Sequence, residues 1–120
     1  MYLINARVSG NTKVRYDAQV SGNARIEGSA RVEGRVKVYG DAWVYGNAVV
    51  ETNASVFGRA HIFDNGQVAD DAKVSGDAEV YGNAKVHGWS VVSGDAKLSG
   101  DALICRGTIE TGSLTTNMCN

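Results

Sequence analysis

An aliphatic residue recurs every six positions from Val8 to Ile104, and the chain keeps that spacing without insertion or deletion. The column reads Val8, Val14, Val20, Ile26, Val32, Val38, Val44, Val50, Val56, Ile62, Val68, Val74, Val80, Val86, Val92, Leu98 and Ile104. No helix has this period, because a buried helical stripe recurs at about 3.6 residues and frequent Gly weakens every turn. A short repeat held this long specifies a β-solenoid, in which each small unit buries its inward residues against identical neighbours.

Each unit reads small, outward, aliphatic, outward, Gly, Asn or Asp, as in Ala42-Trp43-Val44-Tyr45-Gly46-Asn47. Side chains on a strand alternate, so Ala42 and Val44 point inward while Trp43 and Tyr45 point outward. Gly46-Asn47 reads as the central pair of a type II turn, with the positive φ expected at Asn47. Fifteen Gly and no Pro suit repeated turns, and the strict apolar register separates the chain from Gly-rich disorder.

The motif of an aliphatic residue, Gly two places later, then Asn or Asp, then Ala covers residues 6–107 and resembles the hexapeptide-repeat proteins. That resemblance implies an all-β fold: a single-stranded, left-handed parallel β-helix with three hexads per coil and roughly six coils. Many members of the family are trimeric acyltransferases that use acetyl-CoA or acyl carrier protein with a His as general base. Others are zinc carbonic anhydrases, which need three His where this chain has two. Catalytic members commonly carry a loop between coils and a C-terminal helix, and neither is suggested in this sequence.

With three hexads per coil, residues eighteen apart stack at about 4.8 Å, the ordinary strand spacing. Face one then carries Val8, Ile26, Val44, Ile62, Val80 and Leu98; face two carries Val14, Val32, Val50, Val68, Val86 and Ile104; face three carries Val20, Val38, Val56, Val74 and Val92. The whole chain reads as one domain. Residues 1–5, with Tyr2 in an anchor slot, form an N-terminal cap, and residues 108–120 a C-terminal cap or tail, because Glu110 falls where the next anchor belongs.

Composition narrows the partners. A net charge of -1 argues against a nucleic-acid backbone. The basic residues Arg7, Lys13, Arg25, Arg31, Lys37, Lys73, Lys85 and Lys97 occupy the outward slot before the anchor on all three faces, a spread that serves solubility. Cys105 and Cys119 are too few for a disulfide framework and have no zinc-ligand spacing. The stretch Met1 to Ala6 has no basic segment followed by an apolar run, so the expected location is the cytoplasm, without a membrane span.

Two histidines are the catalytic candidates. His61 stacks between Trp43 and Glu79 on face one, where a carboxylate beside an imidazole could orient a general base; two outward residues in adjacent coils also meet by default. His87 lies on face two, one coil below Cys105, an arrangement that could activate a thiolate or share a metal. Two ligands do not make a zinc site, so no metal is expected. If the chain is an enzyme, acyl-CoA is the expected donor; otherwise no cofactor is expected.

Binding candidates are aromatic. Tyr45, Phe63 and Tyr81 fill one outward slot of three successive coils with Trp43 beside Tyr45, while Tyr39 and Phe57 form a pair on face three. Such ladders can simply stack and stabilise the solenoid, or present an interface. The edge after face two departs most from the turn consensus, with Tyr16-Asp17, Thr52-Asn53, Asp70-Asp71 and Arg106-Gly107 lacking the leading Gly, and it carries Trp89. The leading expectation is a noncatalytic scaffold that binds protein or self-associates, as a homotrimer by the family resemblance, through Trp43, Tyr45, Phe63, Glu79, Tyr81 and Trp89. The alternatives are an acyltransferase using His61 or His87 and, more weakly, a carbohydrate-binding module.

Overall fold

A computed structural model describes residues 6–119, and among them the chain forms nineteen short strands in three parallel sheets with no helix. Face one stacks Arg7–Val8, Arg25–Ile26, Trp43–Val44, His61–Ile62, Glu79–Val80, Lys97–Leu98 and Ser113–Leu114. Faces two and three hold six strands each, in the order that the eighteen-residue coil requires. Every third strand is therefore a neighbour. His61 pairs with Trp43 on one side and Glu79 on the other, and Val68 lies between Val50 and Val86. The body is a prism of 37 × 21 × 21 Å.

Two inward columns fill the interior. The aliphatic anchors from Val20 to Leu98 are fully buried, and so are the Ala residues two places before them, such as Ala42, Ala60 and Ala78. Val8 and Val14, in the terminal strands of their sheets, are only half-buried. Val36 and Ser90 stand in Ala slots and are equally buried; the Ser90 hydroxyl donates to the His87 carbonyl at 2.7 Å, which removes the cost of enclosing it. Gly66 takes another such slot. A Cβ there would lie 2.7 Å from the Val80 carbonyl oxygen, closer than any real side chain sits.

The corners are bonded as well as the strands. Asn47 N donates to Asp64 O at 2.8 Å, Asn65 N to Gly82 O at 2.8 Å, and within one turn Ala48 N donates to Tyr45 O at 3.3 Å. The turn chemistry differs from the sequence expectation by one position. Gly46 holds the positive φ, at 67°, and Asn47 does not, so the left-handed residue is the first of the pair. Gly is needed there for its missing Cβ. The Asn and Asp that follow instead line the edges, where Asn65 Nδ2 donates to Asn83 Oδ1 at 3.3 Å and Asn23 Nδ2 to Asp41 Oδ1 at 3.2 Å.

Past Ile104 the solenoid continues with shortened coils. Val92 pairs with Ile109, Leu98 with Leu114, and Leu103 bridges Asn117, so the coil shrinks from eighteen residues to 17, 16 and 14. Ile109 and Leu114 take over as anchors and pack on the core, while Glu110 is exposed. The final turn is pinned by a disulfide between Cys105 and Cys119, whose Cα atoms are 5.5 Å apart. That bond corrects the reading of Cys105 as a reactive partner of His87: its sulfur is committed to Cys119, and no thiol remains to be activated. The expected cap role of Tyr2 lies outside the described residues.

Candidate interaction surface

Face one carries two adjacent outward columns. In the slot before the anchor stand Arg25, Trp43, His61 and Glu79; in the slot after it stand Glu27, Tyr45, Phe63 and Tyr81. Because parallel coils repeat at the strand spacing, like side chains are held one above another with no choice of register. Tyr45 and Phe63 stack with centroids 5.0 Å apart and planes 3° from parallel, and Phe63 and Tyr81 repeat this at 4.9 Å and 2°. Trp43 leans on Tyr45 at 4.5 Å and 40°. His61 meets both edge-on, at 5.5 Å from Trp43 and 6.3 Å from Tyr45.

The sequence candidates Trp43, Tyr45, His61, Phe63, Glu79 and Tyr81 are thus brought together, and Trp89 is not among them. Trp89 projects from the edge after face two and is 79% exposed. Two further members of the plate escaped the sequence reading. Trp43 Nε1 donates to Glu27 Oε1 at 2.8 Å, and the Arg25 guanidinium lies 5.4 Å from the Trp43 ring centre as a cation over the π face. Both were within reach of the eighteen-residue arithmetic, which sets Arg25 below Trp43 and Glu27 below Tyr45.

One expectation changes here. Trp43, Tyr45, Phe63 and Tyr81 are all half-buried, not freely exposed, because each ring covers its neighbour. Stacked in this way the inner rings of the ladder spend their faces on their neighbours. Phe63 is covered on both sides, whereas Tyr81 stacks on a ring on one side only. The Tyr45 hydroxyl is held protonated above its ordinary range, first because burial disfavours phenolate and then because the Glu79 and Asp64 carboxylates repel it. A tyrosine that stays neutral remains a hydrogen-bond donor at the rim of the plate.

His87 is half-buried on face two. Among the described residues no three His, Cys, Asp or Glu side chains converge as a metal site. An open hollow of about 480 Å³ lies between face two and the edge before it, lined by Asn65, Gln67, Asn83, Lys85, Asp101, Ala102 and Leu103; neither His61 nor His87 belongs to it. No helix among the described residues is long and apolar enough to cross a membrane.

A family model described as the YdcK Beta solenoid repeat matches residues 18–34, about one coil. The match agrees with the repeat and the β-solenoid fold. No curated protein and no solved structure matches the chain.

Proposed function

We propose that this β-solenoid is a noncatalytic interaction module that takes up a protein partner through face one. The observation that carries the reading is the three-ring stack of Tyr45, Phe63 and Tyr81, locked laterally by Trp43 and its contacts to Arg25 and Glu27. Rings fixed by their own scaffold lose little freedom on binding, and aromatic anchors usually dominate interface energies. His61 and Glu79 supply polar contacts at the rim. No cofactor is needed for this role.

Because the rings also stabilise one another, the test must keep the stack while changing its surface. Tyr81→Phe and Tyr45→Phe remove the hydroxyls without removing a ring, and Phe63→Ala breaks the stack. Affinity capture of proteins from the native host, quantified by mass spectrometry, should recover a partner with the parent chain and lose it with the Tyr45→Phe, Tyr81→Phe double variant at an unchanged melting temperature. If Phe63→Ala lowers the melting temperature while all variants capture the same proteins, the ladder is internal support and the reading fails. Titration calorimetry with acetyl-CoA against the parent and His61→Ala tests the acyltransferase alternative; heat that disappears with His61 would replace the present reading.

A further inference from the structure

The edge after face two gathers three unrelated departures from the rest of the molecule. Of the four non-Gly residues with positive φ among the described residues, Tyr16, Thr52 and Asp70 lie on it and Asp64 lies on the edge after face one. The two most exposed aromatic side chains among the described residues, Tyr16 at 78% and Trp89 at 79%, stand on it in the first and fifth coils. Two strands that run into it, Arg31–Gly34 and Val49–Thr52, have four residues where most have two. Backbone strain at a surface with unpartnered aromatics marks a place shaped for something other than the core.

We propose that this edge is a self-complementary contact through which two copies of the chain pair antiparallel. The argument is the order of charge along it. In the first five coils the second turn residue is Asp17, Arg35, Asn53, Asp71 and Trp89, and the sixth corner, Arg106-Gly107, lies beyond the paired stretch. A two-fold axis through Asn53, perpendicular to the solenoid, reverses the coil order and keeps the slot. It sets Arg35 opposite Asp71 of the other copy and Asp71 opposite Arg35, while Trp89 meets the coil of Tyr16 and Asp17, whose carboxylate can accept from the indole N–H. Neither Arg35 nor Asp71 forms an ion pair among the described residues, so both charges are available. A parallel pairing of the same edge would instead place Arg35 against Arg35 and Asp71 against Asp71.

The contact is isologous, which closes the assembly at two copies. Its size follows from its anchors: four rings burying about 150 Å² each contribute about 600 Å², so the dimer belongs with small, transient, salt-sensitive interfaces. It is distinct from the face-one plate, and either surface can fail without the other.

Cysteine cross-linking tests the register. Asn53 lies on the proposed axis and faces its own copy, so Asn53→Cys should form a dimer through an intermolecular disulfide under mild oxidation, whereas Asn47→Cys on the edge after face one should not. Sedimentation of Arg35→Asp and of Asp71→Arg should show self-association weakened about tenfold or more, with the Arg35→Asp, Asp71→Arg double variant restored. Trp89→Ala should weaken it comparably. Circular dichroism of each variant establishes that it is folded, and the face-one variants should dimerise like the parent. Equal cross-linking at positions 47 and 53, no recovery in the double variant, a trimer by light scattering, or a parent that stays monomeric at every concentration would each overturn the proposal.

Discussion

Thr52 is a β-branched residue held at a φ of 67°, where its Cβ crowds its own backbone. The same turn slot is Gly46, also at 67°, on the neighbouring edge, so the scaffold wants Gly and position 52 tolerates Thr at a cost. Thr52→Gly should therefore raise stability, by about 0.5 to 1 kcal/mol after the added freedom of the unfolded chain is subtracted, read as a shift in the urea midpoint. Asp70 and Asp64 soften the same strain by a different route. Each carboxylate accepts a backbone N–H one coil on, from Gly88 at 2.9 Å and from Gly82 at 3.2 Å. Tyr45 gives a second prediction at this scale. Its folded pKa lies above the ordinary value of 10.0, so the neutral form is favoured by folding. The stability this confers is complete below pH 10 and is lost as the pH rises through the folded pKa. Difference absorbance between the parent and Tyr45→Phe should show a phenol ionising later than free tyrosine, with the melting temperature of the parent falling more steeply than that of the variant above pH 10.

The hexads show which parts of the fold could be read in advance. From Arg7 to Ile104 the faces, the inward Ala and aliphatic columns and the eighteen-residue pairing follow from the anchor spacing alone, because each unit solves the same local problem. Two things did not follow. Sequence could not say which member of Gly46-Asn47 turns left-handed, since both residue types tolerate positive φ, and it could not foresee that dropping one residue near Arg106 would let Ile109 and Leu114 resume the core. The candidate site was legible as columns, but exposure was misjudged because a ring's accessibility depends on the rings above and below it. The Cys105–Cys119 bond depends on that same shortening, which brings Asn117 beside Leu103 and lets Met118 N donate to Leu103 O at 2.8 Å. Closing a loop of this size is worth roughly 3 kcal/mol. Cys119→Ser should thus accelerate hydrogen exchange at the Met118 amide by about a hundredfold while the central strands keep their protection. Uniform loss across the solenoid would mean that the last coil is a required cap. The bond also speaks to location, since disulfides persist in oxidising compartments; acid-quenched alkylation of protein from its native source would find free thiols if the cytoplasmic expectation holds.

At the scale of the molecule, two periods have separate tasks. The core repeats every six residues, because any hexad buries one small and one aliphatic residue whichever face it occupies. The surfaces repeat every eighteen, because like slots stack only one full coil apart, as those of Tyr45, Phe63 and Tyr81 do. Deletions can separate the two. Removing residues 65–82, one whole coil, joins Asp64 to Asn83 and returns every downstream residue to its own face, shortening the 37 Å axis by about 4.8 Å. Removing residues 65–70, one hexad, keeps every anchor inward but rotates the downstream chain by one face, so Tyr81 no longer stacks on Phe63 and Trp89 leaves the edge of Asn53. Since a solenoid is stabilised chiefly by nearest neighbours, both shortened chains should fold, with β-rich circular dichroism and melting temperatures lowered by several degrees. Both deletions should weaken face-one binding and antiparallel pairing, the coil deletion because it removes Tyr81 and Asp71 outright and the hexad deletion because it moves them to other faces; only the hexad deletion should bring Trp89 onto a different edge. A hexad deletion that unfolds while the coil deletion folds would show that the three faces are not interchangeable inside, and that the core itself is written with the longer period.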